Sequence, residues 1–323
     1  RVVEERSGYD LWGMRPRHVA VVNPVLGEDP QWTLSLGGDW EFCAHTYNPE
    51  RCATWGERFA QEGVWKNPRQ LRVPGFVETQ GVGEPGMARP WDCTWDCSPK
   101  PLAHVFTGAG WYRRTFTIPS AWRGRRIWLK VGDVSSQGWF WVNDVQVAWV
   151  ESYCGTYKYD ITDLVKPGEK AKFVIQISNA VAKRCGSRNC DNVWLGISRE
   201  IELESTPAVY VDDAWCRGDF DRREAQVKVK VGGEGEQWSD DLLLRATVEG
   251  ETREVRLGSS PSPSDFTLKV PLRNFRAWSP EHPNLYTATV ELVENGVVTQ
   301  VRRERFGVRK LEVRGKDFYL NGK

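Results

Sequence analysis

Gly110 to Glu169 reads GWYRRTFTIPSAWRGRRIWLKVGDVSSQGWFWVNDVQVAWVESYCGTYKYDITDLVKPGE, and its pattern decides the fold class. Trp111 to Ile118 forms a strand that Pro119 ends. Ile127 to Val131 forms a second, with Ile127, Leu129 and Val131 on one face and Trp128 and Lys130 on the other. Trp139–Val142 and Val145–Trp149 flank Asn143-Asp144, two turn formers that link them as a hairpin. Asp160 to Val165 allows one short helical turn, which Pro167-Gly168 ends, and Phe173 to Ile177 returns as a strand. The expected architecture is an antiparallel sandwich with aromatic residues on its surface as well as inside.

The order of these pieces carries a resemblance. A Gly-Trp-Tyr-Arg-Arg strand, an Arg-rich turn, a Trp-Val-Asn-Asp hairpin and an Asp-Ile-Thr-Asp-Leu-Val-x-Pro-Gly-Glu turn resemble the N-terminal sugar-binding domain of glycoside hydrolase family 2. That family includes β-galactosidases, β-glucuronidases and β-mannosidases. The resemblance continues through Val73-Pro-Gly-Phe-Val-Glu-Thr-Gln-Gly81 and Trp194-Leu-Gly-Ile-Ser-Arg-Glu-Ile-Glu-Leu203. Further on it includes Trp278-Ser-Pro-Glu-His-Pro-Asn-Leu-Tyr286 and Phe306-Gly-Val-Arg-Lys310, so that it spans residues 31 to 323.

At 323 residues the chain is too long for one small sandwich and suits two domains. Residues 1–30 read as a lead-in segment, interrupted by Pro16, Pro24 and Pro30. Residues 31–205 read as a jelly-roll-like sugar-binding β-sandwich, and Pro207 marks a boundary. Residues 206–310 hold about seven strands, which suggests an immunoglobulin-like β-sandwich. These strands lie near 209–216, 225–231, 242–248, 252–257, 266–270, 286–293 and 297–306. The fold class is therefore all-β. Residues 311–323 resemble the start of the family's β/α barrel, with Phe318 to Lys323 similar to its first β-hairpin.

Forty-four basic and 43 acidic residues leave a net charge of +1, which argues against a nucleic-acid partner, since that needs a basic face. Arg123, Arg125 and Arg126 read as a solvated turn. No stretch is apolar enough to span a bilayer, so no membrane partner is expected. The chain starts at Arg1 without Met or a secretory signal, as a processed or trimmed product would.

Eight Cys include three local pairs, Cys43/Cys52, Cys93/Cys97 and Cys185/Cys190. None has the CxxC spacing of structural zinc, and the four His (18, 45, 104 and 282) are scattered, so neither metal nor cofactor is expected. Disulfides at Cys93/Cys97 and Cys185/Cys190 would fit an exported protein, free thiols a cytosolic one. The compartment stays open, with periplasmic or extracellular slightly favoured. Gly81, Gly83 and Gly86 spell GxGxxG, but Pro85 sits inside and no helix pattern follows. A loop is expected there, not a dinucleotide site.

Seventeen Trp is the unusual count. Indole faces match the C–H faces of sugars, yet they also fill sandwich cores, and most are expected to be structural. The loop Arg89-Pro-Trp-Asp-Cys-Thr-Trp-Asp-Cys97 falls at a substrate-facing loop of the family. The resemblance implies Trp91 and Trp95 as a sugar-stacking wall and Asp92 or Asp96 as a hydroxyl partner. It also implies a sugar-reaching acidic residue shortly before Gly196-Ile-Ser-Arg199. Asp191 is the candidate, with Asn189 and Asn192 as its possible replacements and a turn Asp bonded to its own backbone as the alternative.

A retaining glycosidase needs two carboxylates about 5–5.5 Å apart. The family carries both Glu on its barrel, the acid/base one directly after an Asn, and no Asn-Glu dipeptide occurs here. GxSxG and HExxH are also absent. No catalytic residue is therefore assigned. The leading reading is a non-catalytic N-terminal region whose partners are its own C-terminal barrel and, through that barrel, a carbohydrate substrate. A free-standing carbohydrate-binding protein and an adhesion or scaffold module are the alternatives.

Overall fold

In a computed structural model of the chain, the described residues are 19–21, 30–46, 65, 67–85, 104–106, 108–135, 137–151, 155–178, 194–233, 238, 241–258 and 264–323. They are almost entirely strand and turn. Two compact units emerge, Arg1–Val21 with Leu34–Ser205, and Val22–Thr33 with Thr206–Lys323.

Together with Val19–Val21, the following strands build the two main sheets of the first unit among the described residues: β1 (Thr33–Ser35), β2 (Gly38–Thr46), β3 (Arg69–Val73), β4 (Gly108–Thr117), β5 (Arg126–Val131), β6 (Gln137–Val142), β7 (Val145–Glu151), β8 (Tyr157–Asp160), β9 (Lys170–Ser178) and β10 (Ile201–Thr206). One sheet has the order β7-β6-β9-β4-β2-β3. The other runs from Val19–Val21 through β8-β5-β10 to β1. The quoted stretch behaves as its pattern demands. Asn143 and Asp144 take the left-handed φ values of 47° and 66° that a tight two-residue turn requires, and β6 pairs with β7 around them. Thr162–Leu164 is a single 3-10 turn.

Alternation in these strands sends one set of side chains into a shared core. Trp40, Phe42, Tyr112, Phe140, Phe173, Ile127, Leu129, Tyr159 and Leu203 are all buried. Phe140 stacks on Tyr159 with ring centroids 6.4 Å apart. Each such side chain contributes about 1.5–3 kcal/mol on leaving water. Trp40 also keeps its indole N–H satisfied, donating to Leu36 O at 2.8 Å.

The other face of the six-stranded sheet breaks the simple rule of polar outside. Trp111, Trp141 and Val174 form a second buried cluster there, with Cys43, Trp65 and Trp139 packed against it. Trp111 and Trp141 stack at 5.6 Å, and the Arg113 guanidinium lies 4.5 Å from the Trp65 ring centroid. The Arg-rich turn also differs from expectation. Arg123 is exposed, whereas Arg125 donates to Ser205 Oγ at 3.0 Å and Arg126 pairs with Asp160 at 3.3 Å. Two of the three arginines tie the turn down rather than trail in solvent.

The second unit contains β11 (Tyr210–Asp219), β12 (Glu224–Gly232), β13 (Leu243–Val248), β14 (Glu251–Arg256), β15 (Ser264–Pro271), β16 (Tyr286–Glu294) and β17 (Val297–Phe306), as expected from the sequence to within a few residues. They form a β11-β12-β15 sheet and a β14-β13-β16-β17 sheet over one core, including Val227, Val229, Leu244, Ala246, Val290 and Leu292. A separate hairpin follows, β18 (Leu311–Arg314) and β19 (Asp317–Leu320), turning at Gly315-Lys316. Phe318 to Leu320 lies on the second strand of this hairpin.

Three of the motifs that carry the resemblance meet in this unit. The Trp278 N–H donates to Val308 O at 2.8 Å, and the Trp278 ring lies where a Cβ on Gly307 would come within 3.2 Å. Asn321 donates its side-chain N–H to Trp278 O at 3.0 Å and exchanges two bonds with Lys310. These residues serve the fold.

Candidate functional site

Strand register sorts the two ends of the six-stranded sheet. At one end the partners Val142 and Val145 close a two-residue turn, and Thr117 and Lys170 lie opposite each other. At the other end Thr46 faces Gly108, Ala109 faces Ser178, and Ser178 and Glu151 both face Gln137. Strand ends there lead into the segments 47–64, 152–154 and 179–193. These three segments thus leave from one end of the sheet, the arrangement that gathers binding groups on a rigid scaffold.

Of the seven residues proposed from sequence, Asn189, Asp191 and Asn192 fall on segment 179–193, and Trp91, Asp92, Trp95 and Asp96 on segment 86–103. Trp91, Asp92, Trp95, Asp96, Asn189, Asp191 and Asn192 lie outside the described residues, as do Cys52, Cys93, Cys97, Cys154, Cys185 and Cys190. Cys43 and Cys216 are free thiols. The roots of these segments lie within the described residues. Glu84–Pro85 pairs with His104–Val105 and so closes the base of segment 86–103.

The Val-Pro-Gly motif builds the junction between the roots. The Val73–Pro74 bond is cis, Gly75–Phe76 pairs with Gly196–Ile197, and a 3-10 turn follows at Glu78–Gln80. Gly81 caps that turn with φ 78°, a left-handed value that glycine adopts at no steric cost. This is the structural use of the first glycine of the GxGxxG-like run. Gln80 stands in for a strand neighbour, accepting from Arg72 N–H at 2.6 Å and donating to Arg72 O at 3.0 Å. Arg69 donates to Gly81 O at 3.0 Å, and the His104–Val105 strand packs against the same turn.

On its other side the turn holds the root of segment 179–193. The Val77 N–H donates to Leu195 O at 2.8 Å, and the Leu195 N–H donates to Glu78 Oε1 at 3.0 Å. Leu195 fills space beside Gly110, where an added Cβ would lie 3.4 Å from its methyl carbon. Both proposed binding segments are therefore rooted on one short turn beside the edge strand β3. Trp194 is exposed beside this junction and meets Phe76 edge-on at 5.1 Å.

Glu78 is the unexpected residue. It is only 3% exposed, and burial pushes its carboxyl above the ordinary glutamate range, opposed by backbone N–H donors that include Leu195. Tyr112 is fully buried nearby, its phenol pushed up by burial and then by the Glu78 charge. Glu78 Oε2 and Tyr112 Oη have no hydrogen-bond partner among the described residues. The sequence signal was slight, a lone Glu between Val77 and Thr79 in a segment read only for its Pro-Gly. Among the described residues no group of three His, Cys, Asp or Glu could hold a metal ion, and no helix is long and apolar enough to cross a membrane.

Comparison with known proteins agrees with this architecture. Residues 33–207 match the family described as "Glycosyl hydrolases family 2, sugar binding domain", and residues 209–309 match "Glycosyl hydrolases family 2". The chain belongs to glycosyl hydrolase family 2, and carries its sugar-binding sandwich and the immunoglobulin-like sandwich that follows. It is 26% identical over 262 residues to a β-galactosidase of Streptococcus thermophilus, covering 78% of this chain and 25% of that protein. It is 24% identical over 308 residues to a β-glucuronidase of Paenibacillus borealis, covering 89% and 47%. Among solved structures, a family 2 member from Bacteroides cellulosilyticus superposes with TM-score 0.68 at 20% identity, covering 90% of this chain and 38% of that one. A Ruminococcus gnavus β-glucuronidase gives TM-score 0.66 at 20% identity, covering 91% and 49%. The chain spans about a quarter to a half of the length of these relatives.

Proposed function

We propose that this chain is the non-catalytic N-terminal region of a family 2 β-glycosidase, whose catalytic carboxylates stand on a barrel further along the polypeptide. The first sandwich lends its loop-bearing end to the sugar pocket, and the second supports the barrel. The observation that supports this reading most is the common rooting of segments 86–103 and 179–193 on the Glu78–Gln80 turn. Groups on two loops serve one sugar only if their bases are held together. The terminal hairpin fits the same reading. Leu311, Val313 and Phe318 occupy one face by cross-strand register and are exposed, as residues awaiting a covering domain would be.

In this reading Trp91 and Trp95 stack on the sugar, and Asp191, Asn189 or Asn192, with Asp92 or Asp96, take its hydroxyls. A buried hydroxyl without a partner costs about 1–3 kcal/mol. In the full-length enzyme, Asp191→Ala or Trp95→Ala is therefore expected to lower kcat/KM on an aryl β-glycoside about ten-fold or more, about 1.4 kcal/mol, at nearly constant melting temperature. Unchanged kcat/KM in both variants would overturn the site. Turnover of aryl β-galactoside or β-glucuronide by the 323-residue chain alone, surviving further purification, would overturn the non-catalytic assignment.

A further inference from the structure

The second sandwich contains a polar seam that its fold does not require. Strand β17 is an edge strand, and its inward positions are set by register with β16. Gln300 lies opposite Leu292, Arg302 opposite Val290 and Glu304 opposite Ala288. Those β16 residues are core, so the β17 stripe that should be apolar is glutamine, arginine and glutamate. Arg302 is only 2% exposed.

Opposite this stripe stands β11, the edge strand of the other sheet, which carries a bulge between Val211 and Asp213. Gln300 fastens the bulge. Its Oε1 accepts the Val211 N–H at 2.7 Å, and its Nε2 donates to Val211 O at 3.5 Å. Two residues on, Asp213 from β11 acts on Glu304 from β17. Each has one buried carboxylate oxygen, Asp213 Oδ1 and Glu304 Oε1, with no hydrogen-bond partner among the described residues. Asp212, the bulged neighbour, is already engaged by Lys230 at 3.0 Å.

We propose that the β11–β17 seam is a proton-controlled latch, closed while Glu304 holds a proton beside Asp213 and loosened at β11 once that proton is lost. Two like carboxylates in one half-buried seam cannot both ionise without repulsion. The charged groups that act on Glu304 are Asp213 from β11 and Arg302 from its own strand, and Glu304 in turn acts on Cys216 of β11. Burial first and Asp213 second hold the Glu304 carboxyl up at about 7, against the opposing pull of Arg302. Burial and Glu304 push the Cys216 thiol to about 12, so it stays uncharged throughout this range. The sign follows from linkage. A glutamate whose folded pKa is raised gives stabilisation that is full below its ordinary value and is lost as pH rises through about 7.

Hydrogen exchange of the full 323-residue chain at pH 5.5 and 8.5, corrected for the intrinsic rate, tests the latch. Protection of the 210–219 amides is expected to fall about ten-fold more than that of 243–248 between the two pH values, the half-exposed site limiting the effect. Glu304→Gln should remove the difference, and Asp213→Asn should move its midpoint to lower pH. Equal loss in both strands, no loss, or a Glu304→Gln chain that keeps the pH response would overturn the proposal. If Glu304→Gln does not fold, an unmoved midpoint in Asp213→Asn overturns it.

Discussion

Lys158 is 1% exposed, and its ammonium lies 2.8 Å from the Glu204 carboxylate, in a region of the first sandwich that also holds Trp128 at 4.7 Å. A second pair, Lys130 with Glu202 at 2.8 Å, comes from the same strands as Trp128 and Glu204. Such pairs gain little over apolar residues of equal volume, because both charges leave water. Breaking one side is different, because it strands the other charge. Glu204→Ala is expected to destabilise the first sandwich by about 3–5 kcal/mol in urea denaturation. The double change Lys158→Met with Glu204→Leu should cost less than the single one. A single variant within 1 kcal/mol of wild type, on the order of a surface pair, would show that water reaches the site.

Elements explain how the loop roots are held. The two-residue strand Gly196–Ile197 is wedged between Val134–Ser135 and Gly75–Phe76. A Cβ on Gly196 would stand 2.5 Å from Gly75 O and 2.7 Å from Phe76 Cα, both backbone atoms that cannot swing aside. Gly196→Ala should therefore part the strands, release Leu195 from Val77 and Glu78, and lower the melting temperature by several degrees, about 4 °C or more. Hydrogen exchange should localise the damage to residues 75–82 and 195–198. The strand sequence made most of this legible. Alternation and the Asn143-Asp144 pair foretell β5 to β7, because local sterics and burial act on adjacent residues. Glu78 was illegible for the opposite reason. Its partner, Leu195, is far away in sequence, and nothing local marks a carboxylate as buried. The inward Gln300, Arg302 and Glu304 look like an ordinary exposed edge until the bulge in β11 is seen to face them.

At the scale of the molecule, the two sandwiches have separate cores, and the family matches meet between residues 207 and 209. We propose that they are separate folding units divided near Pro207. Residues 206–310 expressed alone should give a dispersed amide spectrum and one cooperative melt. A collapsed spectrum would place the boundary elsewhere. The asymmetry between the two ends of the six-stranded sheet has a further consequence. Since Glu84–Pro85 and His104–Val105 clasp each other beneath segment 86–103, and Leu195 is clasped beneath segment 179–193, the clasps do not depend on what the intervening residues are. Natural selection can then rewrite those residues without refolding the domain beneath them.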